Sequence, residues 1–381
     1  MNGLRIAIFT SEFFPLRGGI GTYAFEMAQS AASLGAQVTL FAPDYGQDHQ
    51  ASDIERFNFA VRRFPGGRHS MRDAVKKIIF LRSEAARHEF DQILAADWPF
   101  YWPLHFSGFK GRKIYMVHGS EIIEICAPLK RFLVGASRLF RARNEFFTNS
   151  EFTRRLLLEK FPEVRPECVR AELLGVGEYW SENIVEDVGL VRERFELGRE
   201  KFLMLTVSRL TPRKGHLEII KAIKLLPEQL KSSLCYGIVG PAYDSDYLES
   251  IKIAIADSGC EVRLLGEVDN DALRALYRAS DLFCLVGKEI PGGPVEGFGL
   301  VYLEAGAQGV PSIAGSLGGM PEAVISDESG LVVDGSDAAI LAAAIGKVMV
   351  SEDFRKKLGQ GARARALYLT WKRCAAATFG L

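Results

Sequence analysis

Within its first 42 residues the chain runs strand, glycine-rich loop, helix, strand, and this order constrains the fold more than any other feature. Residues 4–10 are a continuous apolar run of the kind buried on both faces of a parallel sheet. Residues 11–21, SEFFPLRGGIG, form the loop; residues 22–34 read as a helix closed by Gly35 as its C-cap; residues 37–42 are the second strand. Parallel strands need a crossover, so this is a βαβ unit. Its glycines, Gly18, Gly19 and Gly21, fall where backbone approaches a ligand in such units. The spacing is not GxGxxG, and a helix start that merely needs glycine explains the same residues.

The alternation continues. Strand signals recur at 59–64, 92–95, 113–117, 146–149 and 169–174, with room for one helix in each interval. A charged stretch poor in strand signals follows at 185–198, and then the pattern restarts at 201–207, 234–239, 262–265, 282–286, 310–313 and 331–333. The economical fold is α/β, with two Rossmann-like doubly wound parallel sheets facing a cleft. The expected domains are residues 1–185 and 186–362, with a helical tail, 363–381, crossing back to the first. A length of 381 residues suits two cores better than one.

Lys plus Arg and Asp plus Glu both number 47, so no net field recruits nucleic acid. No apolar stretch approaches the ~20 residues of a membrane span. The start, MNGLRIAIFT, has no charged segment ahead of a long apolar one, so a cytoplasmic protein is expected. Its six cysteines are scattered without a CxxC pair and read as buried apolar residues in a reducing compartment. One local asymmetry stands out: Arg56, Arg62, Arg63, Arg68, Arg72, Lys76, Lys77, Arg82 and Arg87 face only Asp73 and Glu84 in their stretch, beside the apolar Val75, Ile78, Ile79 and Phe80. A basic amphipathic helix of this kind rests on an anionic membrane surface; a solvated helix face is the plainer explanation of the same residues.

The chemistry-bearing residues cluster at predicted strand ends, where ligands of doubly wound sheets collect. After 201–207 comes SRLTPRKGH, placing Arg209 and Lys214 where two cations can neutralise a diphosphate. The loop 266–268, with Val268, lies where backbone groups can hold a base. Asp97 with Trp98, His118 with Glu121 and Asn149 with Ser150 follow strands of the first half; His118 either caps the next helix or faces the ligand. Residues 292–309, GGPVEGFGLVYLEAGAQG, carry Glu296 and Glu304 eight positions apart across a glycine-rich helix start. The N–H groups of Phe298, Gly299 and Leu300 would point outward at the positive end of the helix dipole, an anion site flanked by two carboxylates. Such a site suits a ligand with phosphate in the middle and hydroxyls at both ends. An ordinary loop and helix with two surface glutamates remains the alternative.

These motifs together resemble the retaining family 4 glycosyltransferases of GT-B fold. Glu296 and Glu304 are similar to that family's paired glutamates, SRLTPRKG to its arginine and lysine element, and GGIGTY to its N-terminal glycine loop. HGSE, TNSEFTRRLL, GVPSIAGSLGGMPEAV and WKRCAAATF extend the resemblance over nearly the whole chain. It implies transfer of a hexose, with retention and without a metal or other cofactor, from a UDP- or GDP-sugar to a glycan or lipid-linked acceptor. It assigns Arg209 and Lys214 to the donor diphosphate and its departing charge. Phe298, Gly299 and Leu300 would bind phosphate and sugar, Glu304 the ribose hydroxyls, and Glu296 the donor sugar. His118 would line the acceptor side, and Gly19 would admit the donor phosphate. LLGVGEYW departs from the asparagine-glycine pair usual in relatives. An epimerase on the same fold and a non-catalytic nucleotide-sugar binder are the competing functions.

Overall fold

The computed structural model describes residues 3–15, 18–46, 53, 56–66, 71–142, 144–182, 186–290, 293 and 295–381, with only the backbone of 71, 72 and 74. Arg68, the Arg72 side chain and Gly292 therefore lie outside the described residues.

Two compact units emerge: Met1–Leu174 together with Trp371–Leu381, and Gly175–Thr370. The division falls after Leu174, earlier than the expected boundary at 185. The charged stretch at the expected boundary contains α7 (Val188–Arg194), capped by the Asp187 carboxylate. Arg192 donates hydrogen bonds to the Ala279 carbonyl, binding that helix into the second unit.

The first unit is a seven-stranded parallel sheet: β1 (Arg5–Phe9), β2 (Gln37–Pro43), β3 (Ala60–Phe64), β4 (Gln92–Ala95), β5 (Arg112–Val117), β6 (Glu145–Thr148) and β7 (Val169–Ala171), in the order β3-β2-β1-β4-β5-β6-β7. The strand order reverses between β1 and β4, which makes their carboxyl ends the binding edge of this sheet. Its helices are α1 (Gly19–Ser33), α2 (Met71–Arg87), α3 (Tyr101–Phe106), α4 (Ser120–Ile125), α5 (Pro128–Ser137) and α6 (Glu151–Lys160). Right-handed crossovers put α2 to α6 on one face of the sheet and α1 on the other. Helix α1 begins at Gly19, three residues before the expected start, because Thr22 N–H bonds back to the Gly18 carbonyl at 3.0 Å. Gly19 and Gly21 thus lie in the first helical turn and not in the loop.

The basic run of residues 56–87 does not form one helical face. Arg63 pairs with the buried Asp53 at 2.7 Å, Arg56 stacks on Phe14, and Arg62 reaches Glu84, all three arginines lying before α2 begins. On α2 itself Phe80 turns into the core against Phe9, Phe41 and Phe64, while Val75 and Ile79 face solvent.

The second unit is a six-stranded parallel sheet: β8 (Phe202–Val207), β9 (Leu234–Val239), β10 (Glu261–Gly266), β11 (Leu282–Leu285), β12 (Ser312–Gly315) and β13 (Gly330–Val333), in the order β10-β9-β8-β11-β12-β13. Its remaining helices are α8 (His216–Lys224), α9 (Glu228–Ser233), α10 (Ser245–Ala256), α11 (Asn270–Ala279), α12 (Leu300–Ala307), α13 (Met320–Ala323), α14 (Ala338–Val350) and α15 (Glu352–Tyr368). Strand β12 starts two residues later than expected, since Val310 N–H closes α12 on the Ala305 carbonyl and Pro311 has no N–H to give. Asp244 caps α10, accepting from Asp246 and Tyr247 N–H.

The tail divides where a single crossing segment was expected from residue 363. Helix α15 stays in the second unit, packed so closely on α12 that a Cβ on Gly306 would lie 2.8 Å from the Ala362 carbonyl oxygen. Only α16 (Trp371–Phe379) belongs to the first unit, beside α1. There Gln92 and Arg112 donate to the Phe379 and Thr378 carbonyls at 2.9 and 2.8 Å. No described helix is long and apolar enough to cross a membrane.

Candidate functional site

In the second unit the carboxyl ends of β8, β11 and β12 are drawn together by glycines. The chain leaving β8 makes a single tight turn, Pro212–Lys214, and then passes through Gly215 at φ 77, where a Cβ would press on Val286 at 3.0 Å. Only glycine suits a left-handed backbone at such an approach. The turn is pinned from the other side by Lys288 N–H on the Arg213 carbonyl at 2.8 Å. Behind it, His216 is fully buried between Ser208 Oγ at 3.1 Å and Tyr247 OH at 3.3 Å. Burial, with Lys214 adding to it, pushes the imidazole down to about 4, so it braces the loop as a neutral ring.

Glu296 lies where these loops meet. Lys214 Nζ donates to its Oε2 at 2.5 Å, and Arg213 donates to the same oxygen at 3.0 Å. Its own carbonyl accepts from Gly319 N–H at 2.9 Å, and Gly318, at φ 66, leaves room for that contact. Burial raises the Glu296 carboxyl, but Lys214 and Arg213 outweigh it and hold the group at about 2. Lys214 is lowered, first by burial and then by Arg213 and Arg209, against the pull of Glu296. Lys214 and Arg213 share the Glu296 carboxylate, and Arg209 acts on Lys214 through space, so three cations stand against one carboxylate, a surplus of two positive charges. Arg209, exposed at the end of β8, is the cation of the three that points to solvent.

Beside this cluster α12 begins. Gly299 caps it at φ 95, and a Cβ there would lie 2.6 Å from the Tyr302 ring. Tyr302 is itself fixed by donating to the Leu285 carbonyl at the end of β11. Phe298 is buried, no side chain caps the helix, and its first turn holds no acidic residue, so the positive end of the dipole is uncompensated. One turn further along, Glu304 accepts a hydrogen bond from Tyr277 OH at 3.0 Å. With no cation acting on it among the described residues, burial pushes this carboxyl up to about 7, Tyr277 offsetting only part of the rise. Val268 lies at the same edge of the sheet, in the loop between β10 and α11, whose Asp269 caps α11.

The first unit holds the other two expected residues. His118 does not cap α4, which begins after Gly119. Its Nε2 lies 2.8 Å from the Ala96 carbonyl, which can only accept, so Nε2 donates there. Its carbonyl accepts from Asn149, and its ring meets Tyr23 edge-on. The adjoining Asp97 carboxyl, buried at the end of β4, is pushed up to about 7 by burial while accepting from Ser11 N–H and Oγ. Gly19 has open space where a Cβ would go. The tight glycine is Gly18, whose Cβ would fall 2.0 Å from Glu12 Oε1, and that same oxygen accepts from Gly21 N–H at 3.1 Å. Three residues missed in the sequence thus emerge: Arg213, Tyr277 and Glu12. Arg213 was legible as the cation next to Lys214, and Glu12 as the carboxylate of the loop before α1; Tyr277 is brought in from 27 positions away and carries no local signal.

A paired-sheet chain of this kind, with a basic strand-end turn facing a glycine-capped helix, is the class of the GT-B glycosyltransferases. The family "Glycosyltransferase Family 4" matches residues 17–171, and "Glycosyl transferases group 1" matches residues 190–365. The GDP-mannose-dependent alpha-(1-6)-phosphatidylinositol monomannoside mannosyltransferase of Mycobacterium tuberculosis is 27% identical, over 94% of this chain and 92% of that one. Among solved structures, a glycosyltransferase from Rickettsia africae superposes with a TM-score of 0.80 at 17% identity, covering 100% and 98% of the two chains. Anabaena HepE in complex with UDP and glucose gives 0.79 at 19%, covering 99% and 98%. The chain belongs to the family 4 glycosyltransferases.

Proposed function

We propose that this enzyme moves a hexose from a nucleoside diphosphate sugar to a glycolipid acceptor, retaining the anomeric configuration and using no metal. The observation that carries this reading is the charge balance around Glu296: a surplus of two positive charges beside an uncapped helix end matches a doubly charged diphosphate ester. The mycobacterial relative's name supports GDP-mannose as the donor to test first and a phosphatidylinositol mannoside as the kind of acceptor.

In this reading the donor diphosphate takes Arg209, Lys214 and the N–H groups of Phe298, Gly299 and Leu300. Glu296, released from Lys214, accepts hydroxyls of the sugar, while Glu304 accepts those of the ribose and Val268 borders the base. When the anomeric C–O bond breaks, its electron pair passes to the β-phosphate oxygen, and the cations stabilise that developing charge; such stabilisation is usually the largest catalytic term. The same cations stand where a divalent ion would otherwise bind. The acceptor hydroxyl then attacks from the leaving-group face and gives its proton to the phosphate oxygen. His118 orients the acceptor, and Gly19 admits the donor phosphate. The first unit serves the acceptor and the second the donor.

Peripheral contact with the inner face of the membrane, through the α2 residues Val75, Ile79, Lys76 and Arg82, completes the proposal and brings the enzyme to a lipid acceptor. The test is transfer from GDP-mannose to a mannosylated phosphatidylinositol in the presence of a chelator, with the product's anomeric configuration read by NMR. Conversion of the donor without acceptor would instead identify an epimerase, and the absence of turnover with any donor a binding protein.

A further inference from the structure

Helix α5 of the first unit is turned the wrong way round for a water-facing helix. Val134 is buried, and Arg131, its side chain 35% exposed, lies over the Phe161 ring at 4.3 Å while pairing with Glu163 at 2.9 Å, so this cation is held against the unit. The opposite face presents Leu129 at 70% and Phe132 at 71% exposure, the most exposed large apolar side chains among the described residues of this unit. At i and i+3 they form one stripe, with Ala136 continuing it a turn further on. A solvated surface helix carries polar residues at those positions.

The charge around the stripe identifies what covers it. From Ile125 to Asn144 the sequence has five basic residues and no acidic one. Arg138 and Arg141 are exposed just beyond the helix, and Lys130 is half-exposed on its flank. A two-fold contact with a second copy would set these cations against their own images. An anionic bilayer accepts both features, since the apolar stripe enters the acyl boundary while the cations remain among the headgroups. Helix α5 lies in the same layer as α2, with α3 between them: α2 packs on α3, and His105 of α3 donates to the Ser137 carbonyl at 3.0 Å.

We infer that α5 is a membrane anchor in its own right, seating Leu129 and Phe132 in the interface of an anionic monolayer. This deepens the membrane reading given above and rests on it, but assigns the apolar hold to a different helix. Because α5 belongs to the β5–β6 crossover that begins at His118, the anchor lies in the segment proposed to meet the lipid acceptor.

The experiment is co-sedimentation of the full chain with phosphatidylcholine vesicles, with and without phosphatidylglycerol. The wild type is expected to bind only the anionic vesicles. Leu129→Ser/Phe132→Ser should lower the partition coefficient by about ten-fold or more, from the lost apolar burial, with its melting temperature and its transfer to a water-soluble acceptor analogue unchanged. Phe132→Trp should blue-shift in emission on anionic vesicles and not on neutral ones. Lys76→Gln/Arg82→Gln, on α2, should weaken binding while leaving that blue shift in place. Vesicle binding by the serine variant equal to wild type, with no blue shift for Phe132→Trp, overturns the α5 anchor and leaves α2 as the contact. No binding by the wild type overturns both. A concentration-dependent dimer that the serine variant abolishes overturns the anchor in favour of self-association.

Discussion

The starts of α1 and α12 are built alike and behave differently. Each follows a strand at a carboxyl edge, each has a glycine N-cap, and neither has an acidic residue in its first turn. At α1 the position an anion would occupy is already filled: Glu12 accepts from Gly21 N–H, and its carboxylate lies where a Cβ on Gly18 would go. At α12 the nearest carboxylate, Glu296, is drawn aside by Lys214 and Arg213, and the helix end stays open beside a cationic surplus. A helix N-terminus is thus an anion site only where the neighbouring loop supplies cations and withholds its own carboxylate. On this contrast the cations that hold the proposed donor diphosphate stand at α12, and α1 offers it only the bare backbone of Gly19.

The strongest way to break the contrast is to remove the cations. Lys214→Ala or Arg209→Ala should each lower kcat/KM by ~10²-fold or more, the scale of one lost charge-stabilising group; wild-type turnover in either variant would sink the assignment. The next effect is conformational. Gly299→Ala puts a Cβ 2.6 Å from the Tyr302 ring at φ 95, so thermal denaturation should show a loss of about 1–3 kcal/mol, together with weaker donor binding.

Protonation gives a third handle. Glu304 is held at about 7, above the value of 4.5 for an unfolded glutamate. The folded state therefore binds more protons between those values, and stability should fall as pH rises from 4.5 to 7 and then level off. Donor affinity should move oppositely, rising through pH 7 as the carboxylate that accepts ribose hydroxyls forms. Glu304→Gln should flatten the affinity profile and remove only its own share of the stability slope, leaving that of Asp97, which calorimetric titration and melting curves can read.

The smallest expected effect sharpens the α1 side. Gly19→Ala meets open space in a helical turn and should leave stability equal or raise it by about 0.5–1 kcal/mol. A stable Gly19→Ala enzyme with raised KM for the donor would show that ligand, and not the fold, requires glycine there. Gly18→Ala must move the flexible Glu12 carboxylate off Gly21 N–H, a small change in stability that opens the anion position at α1.

The strand pattern was legible because buried parallel strands are apolar runs bounded by turns, a signal carried by neighbouring residues. Residues 92–95 and 234–239 fall where the sequence places them, and the two sheets follow from the repeated alternation. Boundaries failed where long-range contacts decide them: α7 looks like a domain boundary until Arg192 is seen on Ala279, and β12 starts late because of the closure of α12.

Sequence alone determined the α/β class, the cations after β8, the paired glutamates and the return of the C-terminal helix. Tertiary structure decided which charges meet. Glu296 lies 82 positions from Lys214 and 83 from Arg213, and nothing local predicts that all three share one oxygen. The sheet order placing β11 beside β8, and β12 beside β11, brings them together. It also leaves Glu304 with Tyr277 and, among the described residues, no cation, so two glutamates of one short motif differ in acidity: one is held at about 2 and the other at about 7. The reason is that secondary structure follows short-range periodicity, whereas the state of a buried charge depends on the partners and solvent that packing assigns to it.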